Sequence, residues 1–561
     1  MTMNDAASAH DDAFVELASA ALEDVMRYYP DWASSLGDHR YDDQLPDASP
    51  ATLDQCRGVL AQHADRLATL DLTALHAENR VDAKMLTNQL AALQYDLEDL
   101  REHTWNPMVA NPGQAIYTLL ARDFAPLGDR LHAVAGRLAA IPEALATSRS
   151  ALGAMPRVHI ETALGQFAGT AALISGEIDA LLESAPASRA EIEAVRPAAL
   201  EAIETHRRWI YERLAESERD GTFRDPRIGA ERFTHKLALA LDAESDADAI
   251  LSRAEADLER VSEEIAEVAA RRLGAGRQVS TSEVVHRVLD QLAADVPDDA
   301  TILGFARDAL AAQLEFVQQN GIATTYEDPV EVIVMPEINR GVAVAYCDPP
   351  GPLEEVELPT FVAVSPTPSD WTAEQVASFY REYNRHMVHN LMVHEAMPGH
   401  VLQLQHSRRF VGSSRVRAAF WSGSFVEGWG VYAESVMAGL GYPGENDPDA
   451  MHLQQLKMRL RCIVNAILDA RVHGHGMTET EATRLMVERG FQEVGEVAGK
   501  WRRALLTSAQ LSTYYVGVSE VDDLVADVKR DHSDWSMREL HDAVLGHGSP
   551  TVRHLRMLIT R

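Results

Sequence analysis

WTAEQVASFYREYNRHMVHNLMVHEAMPGH (371–400) is the stretch from which the rest of the chain is read. Thr372 and Gln375 stand in capping-box spacing, which predicts that a helix starts there. Counting back by sevens from His394 reaches Met387 and Tyr380, and Leu391, Tyr383, Phe379 and Val376 fill the same face. This period predicts one helix running to His394, with that histidine on its buried side. Taken alone, such a histidine is most simply a core residue with a satisfied hydrogen bond. Glu395 follows it directly, and Met397, Pro398, Gly399 and His400 complete HEAMPGH, an H-E-x-x-x-x-H arrangement.

Two imidazoles and a carboxylate are a common zinc donor set that leaves a fourth position for water, and a glutamate beside the first histidine can take that water's proton. In the familiar HExxH the second histidine returns to the same helical face after four residues. Here it comes after six, about 240° round an ideal helix, so a regular helix cannot present both side chains to one ion. Pro398 and Gly399 offer the remedy: proline interrupts the ladder and glycine permits unusual backbone geometry, so the chain can turn and bring His400 back. Chance alone gives this pattern on the order of 0.1 times or fewer in a chain of this composition.

A third donor is needed, and SFVEGWGVYAES (424–435) supplies two candidates, Glu427 and Glu434, seven residues apart on nearly one helical face. Seven residues rise about 10 Å, so both cannot bind one ion through that face. Glu427 is preferred as the metal ligand, because Gly428 and Gly430 beside it would let another helix approach closely. Glu434 is then expected to orient a histidine. Downstream, Asp469 and His473 stand at i and i+4, the spacing at which a carboxylate can hold an imidazole. The stretch QLSTYYVG (510–517) brings Tyr514 and Tyr515, either of which could donate to an oxyanion. The basic stretch Arg408, Arg409, Arg415 and Arg417 is expected to be solvated, the alternative being an anchor for a substrate carboxylate.

Outward from this region, residues 11–320 are rich in Ala, Leu, Glu and Arg with apolar spacing of three and four, which predicts a helical N-terminal half, 1–322. Breaks are expected at 28–50, 106–114 and 219–229, where Pro, Gly, Asn and Asp cluster. Near residue 323 the texture changes: VEVIVM (330–335), VAVAY (342–346) and TFVAV (360–364) predict a small β-sheet near the metal helix, opening a catalytic half, 323–561. A short sheet edge there could hold an extended peptide by strand addition. The fold class expected is mainly α.

The net charge of -34, from 85 acidic and 51 basic residues, argues against nucleic acid or an anionic membrane as partner. Cys56, Cys347 and Cys462 are far apart and suggest neither a disulfide framework nor a thiolate metal site. The acidic N-terminus does not resemble a secretory signal and no apolar run is long enough to span a membrane, so a cytoplasmic location is expected.

Together with HEAMPGH and FVEGWGVYAE (425–434), the stretches LGDHRYDDQLPD (36–47), DPPGPLE (348–354), LDARVHGHGMTETEA (468–482), LSTYYVG (511–517) and HDAVLGHGSP (541–550) resemble the bacterial domain-of-unknown-function family numbered 885, over one continuous domain of about residues 11–561. That family is placed with zincin-like metallopeptidases. The resemblance implies a helical gluzincin architecture similar to thimet-type oligopeptidases and angiotensin-converting enzyme, with a deep cleft between two helical halves. It implies one zinc ion per chain on His394, His400 and Glu427, Glu395 as general base, and Tyr514 and His473 as transition-state donors. The expected activity is hydrolysis of short peptides by a monomer or homodimer. The rival readings are a zinc amidase or esterase acting on a non-peptide molecule, and a helical binding protein without catalysis. Manganese or cobalt would suit the same donors.

Overall fold

The computed structural model describes residues 3–274, 281–336, 344–369 and 371–560. They divide into two compact units. The first comprises Met1–Ile228, Pro350–Leu358 and Gly412–Phe420; the second comprises Gly229–Pro349, Pro359–Val411 and Trp421–Arg561. The protein is mainly α with one three-stranded sheet. The expected division at 322/323 follows a change of texture that lies inside the second unit, where it marks the sheet. No described helix is long and apolar enough to cross a membrane.

In the first unit the long helices Leu127–Ala151 and Arg189–Asp220 pack on each other, and Arg189–Asp220 also packs on Arg157–Ala172. Leu131, Val134, Leu138, Ile141 and Leu145 recur at three and four spacing and meet Ile192, Ile203 and Ile210 in one buried cluster, as an amphipathic reading requires. The predicted breaks are seen: Pro30–Leu36 ends on Gly37 in the left-handed region, and a new helix starts only at Pro50. The segment 412–420 departs from expectation. Arg417 is not solvated but 2% exposed, with its guanidinium on the Asp82 carboxylate and Glu78, while Ser414 donates to the other Asp82 oxygen at 2.5 Å.

In the second unit β1 (Val330–Val334), β2 (Ala345–Asp348) and β3 (Thr360–Val364) lie in the order β1-β3-β2. β3 is parallel to β1, with Val330 opposite Thr360, and antiparallel to β2, with Ala345 opposite Val364. The first two residues of VAVAY lie outside the described residues. Central β3 buries Thr360, Val362, Ala363 and Val364, which fits its unbroken apolar run. Val332, Ala345, Val362 and Val364 share a core cluster with Met387, Val388, Leu391 and Met392, so the sheet is backed by the helix carrying His394.

That helix differs from the prediction. Thr372 and Gln375 do form the capping box of α1 (Ala373–Glu382), but the helix stops at Tyr383, and Asn384 caps a second helix, α2 (Arg385–Glu395), through a bond from Met387 N to its side chain. The break falls at this cap. The Asn384 side chain satisfies an amide at the start of α2, and the Tyr383 hydroxyl accepts from Arg461 at 3.0 Å. α2 is buried on every side from His386 to Glu395; among its polar groups His389 meets Tyr442 and Glu445, each at 3.0 Å, whereas His386 Nδ1 finds no partner among the described residues. The remaining elements around this helix are α3 (His400–Arg409), α4 (Gly423–Gly439), α5 (Pro448–His475), α6 (Val494–Leu506) and α7 (Ser512–Asp531).

Candidate metal centre

α2 ends at Glu395, the chain reverses through Ala396–Gly399, and His400 opens α3. The helix is thus abandoned and restarted, which resolves the 240° problem. The Met397–Pro398 peptide is cis. Gly399 N donates to Val393 O at 3.0 Å, and a Cβ on Gly399 would sit 1.9 Å from His394 O, so only glycine allows this reversal. Trp429 on α4 braces the turn, its indole N–H donating to Pro398 O at 2.8 Å.

The two imidazoles stand edge to face, with centroids 4.6 Å apart. Glu427 Oε2 lies 3.3 Å from His394 Nε2 and 3.6 Å from His400 Nε2, and one donor atom from each of the three residues falls within 4.8 Å of the others. Four donors at about 2.1 Å from one tetrahedral zinc ion are about 3.4 Å apart, so the two glutamate separations suit a shared ion. His394 and His400 are buried and Glu427 is partly exposed, which leaves the centre approachable from one side.

Glu434, seven residues beyond Glu427, serves the other edge of the same imidazole: His394 Nδ1 lies 2.8 Å from Glu434 Oε1, and Asn390 Nδ2 donates to Glu434 Oε2 at 2.6 Å. One histidine ring therefore bridges two glutamates that helix geometry keeps apart. The ring fits because Gly430 has no side chain; a Cβ there would be 2.8 Å from His394 Cε1. Gly428 meets Gly517 of α7 in the same way, its added Cβ falling 2.3 Å from the Gly517 carbonyl carbon, so α4 and α7 touch backbone to backbone. The His400 Nδ1 has no hydrogen-bond partner among the described residues.

Glu395 Oε2 accepts the Cys347 N–H of β2 at 3.0 Å. Burial pushes its carboxyl above the ordinary range, although His394 and His400 pull the other way. Burial alone would depress His394, but hydrogen bonds to Glu427 and Glu434 hold it well above the usual histidine value. Burial would likewise raise Glu427, and its bonds to the two imidazoles hold it well below. Three carboxylates around two imidazoles make a pocket that favours positive charge, whether carried by protons or by a metal ion.

The two tyrosines of LSTYYVG separate. The Tyr515 hydroxyl donates to Asp257 at 2.8 Å. Tyr514 accepts from Arg503 at 3.1 Å and from Gln510 at 3.5 Å, and its phenol is raised by burial first and by the Glu427 charge second, so it is the tyrosine that faces the cluster. Asp469 and His473 do not join the cluster. Asp469 accepts from Ala509 N at 3.1 Å, Ser512 N at 3.0 Å and the Ser512 hydroxyl at 2.9 Å; His473 Nε2 donates to Ala504 O and Thr507 O, and its ring stacks on Phe233. Both therefore shape the turn between α6 and α7 that carries Tyr514. Of the basic stretch, Arg409 pairs with Asp328 at 2.9 Å and covers the Tyr326 ring.

Asn390, Trp429, Gly517 and the Cys347 amide are members of the site that sequence reasoning misses. Asn390 stands one turn before His394 and is open to discovery by spacing; the other three depend on tertiary contacts.

Comparison with known proteins agrees with this architecture. A solved structure titled as a "putative lipoprotein of unknown function" from Shewanella oneidensis matches with a TM-score of 0.82 and 28% identity, covering 98% of this chain and 100% of that one. A "putative lipoprotein" from Colwellia psychrerythraea shares the fold, with a TM-score of 0.78, 17% identity and 98% coverage of both chains. No curated protein matches. The family model described as "Bacterial protein of unknown function (DUF885)" matches residues 30–559, nearly the whole span over which the motifs were read, and the chain belongs to that family.

Proposed function

We propose that the protein is a metal-dependent hydrolase of the zincin type, with short peptides as its substrates. The observation that supports this best is the convergence of His394, His400 and Glu427, with donor atoms within 4.8 Å of one another and Glu395 beside them. A zinc ion held by these three residues would supply Lewis acidity, lowering the pKa of a water molecule and polarising a carbonyl.

The chain's own groups account for the remaining steps. Glu395 has one oxygen occupied by Cys347 N–H and the other available to take a proton from the attacking water and pass it to the leaving amine. Tyr514, whose oxygen already accepts from Arg503, retains its own hydrogen to donate to the developing oxyanion. Glu434 holds His394 in one orientation. β2 is the strand next to this base, its Cys347 N–H bonded to Glu395. His473, tied to two backbone carbonyls, is better suited to positioning the Tyr514 turn than to donating in the transition state.

The test is metal content by mass spectrometry, with hydrolysis of peptides and of acylated small molecules, on wild type, His394→Ala and Glu395→Gln. About one zinc in wild type, lost in His394→Ala but kept in an inactive Glu395→Gln, is the expected result. Wild type that takes up no metal when zinc is supplied overturns the proposal. Turnover of acylated small molecules without turnover of peptides moves it to the amidase alternative. Fractionation of cells separates the cytoplasmic location expected from sequence from the anchoring implied by the wording used for the two structural relatives.

A further inference from the structure

Lys500 and Arg503 stand three residues apart on one face of α6. Lys500 is only 6% exposed, yet it makes no hydrogen bond or ion pair among the described residues. A buried lysine is ordinarily paired, because an isolated ammonium loses its hydration without return. Among the described residues Arg503 has neutral partners only: its guanidinium donates to Gln510 Oε1 at 2.8 Å and to the Tyr514 hydroxyl at 3.1 Å. The nearby acids are already engaged. Glu496 is bound by Arg461 at 2.7 Å, and Glu382 by Lys457 at 2.9 Å. Lys457 and Arg461 thus take up these two carboxylates, and Arg503 is the cation in contact with Tyr514.

Arg503 borders the candidate centre through Tyr514, whose phenol is raised by burial first and by the Glu427 charge second; the Cys462 thiol of α5, pushed up by burial first and Glu434 second, is drawn down by Arg459, His394 and Lys500. Burial, with Arg461 and Arg503 close by, pushes the Lys500 ammonium well below its usual range, a cost that an arriving anion would reverse. In a protein of net charge -34, beside three glutamates, an anionic ligand would be repelled without such a local excess of positive charge.

We propose that Lys500 and Arg503 form the receptor for a free carboxylate on the substrate, which makes the preferred substrates peptides recognised by their C-terminal carboxylate. The proposal rests on the hydrolase reading above and assigns that site a substrate class. Lys500 supplies a compact charge and Arg503 a forked donor whose far side is held by Gln510 and Tyr514, so that binding a carboxylate also aligns the proposed oxyanion donor.

Calorimetric titration of acetyl-trialanine and of its C-terminal amide into the full-length, zinc-loaded Glu395→Gln protein, with and without Lys500→Met, tests it in the absence of turnover. The expected result is an acid bound about 10- to 100-fold more tightly than the amide, a preference abolished by Lys500→Met while amide binding and zinc content stay unchanged. Equal binding of acid and amide, no binding of either, or a preference that survives Lys500→Met overturns the receptor. The comparison of acid with amide on the Lys500 protein stands even if the variant misfolds. A carboxylate preference in a protein whose wild type hydrolyses nothing would uphold the receptor and sink the hydrolase reading, so the two failures are distinct.

Discussion

Replacing Glu434 by glutamine probes the candidate centre without touching a proposed ligand. Both Glu434 oxygens act as acceptors, one for His394 Nδ1–H and one for Asn390 Nδ2–H. An amide offers one acceptor and one donor, so the substituted side chain can satisfy only one of these neighbours and turns an N–H toward the other. If it keeps His394, the buried Asn390 amide faces another donor; if it keeps Asn390, the imidazole loses the group that fixes its tautomer and tilt. The first outcome costs about 1–3 kcal/mol of stability. The second lowers metal affinity by about 10- to 100-fold, equivalent to about 1.4–2.7 kcal/mol. The assay is a zinc titration against a competing chelator, run beside urea denaturation of the metal-free protein. Asn390→Asp in the Glu434→Gln background returns an acceptor opposite the new amide and should recover a large part of whichever quantity was lost. Unchanged zinc affinity together with unchanged stability in Glu434→Gln would refute the reasoning, because a buried carboxylate with two charge-assisted bonds would then have proved dispensable.

Tyr514→Phe should lower kcat by about 100- to 1000-fold with little change in KM, whereas Tyr515→Phe, which removes only a bond to Asp257, should leave kcat intact and cost about 1 kcal/mol of stability; equal kinetic losses in both would dissolve the distinction drawn between them. Glu520 gives a pH test remote from the metal residues. Burial pushes its carboxyl up to about 7 from an ordinary 4.5, so its favourable contribution is complete below pH 4.5 and disappears as pH rises through about 7. Glu520→Gln, which can still accept the Glu244 N–H bond, should therefore be more stable than wild type at pH 8.5, by up to about 3 kcal/mol, and not at pH 4. An identical stability difference at both pH values in chemical denaturation would count against the shift.

Much of the centre is legible because its chemistry is written in short spacings. HEAMPGH announces both imidazoles and the need for a turn between them, and the glycines flanking Glu427 announce close approach, although not that Gly430 makes room for an imidazole while Gly428 meets another helix. The expected continuous helix from 372 to 394 fails because the apolar period does run through Tyr383. What marks the break is a cap at Asn384, which leaves no trace in hydrophobicity. His473 departs from expectation for a related reason: i, i+4 spacing to Asp469 is compatible with a hydrogen bond, but His473 finds carbonyls at the end of α6 and Asp469 finds amides at the start of α7. Nothing in the sequence singles out Lys500 and Arg503, since burial of a charge depends on what packs over it and not on its neighbours in sequence.

The composition of the first unit from three stretches of chain sets an order on its synthesis. Asp82 is enclosed with an upward-shifted carboxyl, raised by burial and restrained by Arg417, and that arginine is translated more than three hundred residues later. At about 5–20 residues per second, the ribosome needs about 10–40 s to pass from Ile228 to Phe420. During that interval the N-terminal helices hold a carboxylate whose counter-ion does not yet exist. A nascent chain released or paused at residue 228 should therefore be open to proteases at the helix containing Asp82, and become resistant only after Arg417 has left the exit tunnel.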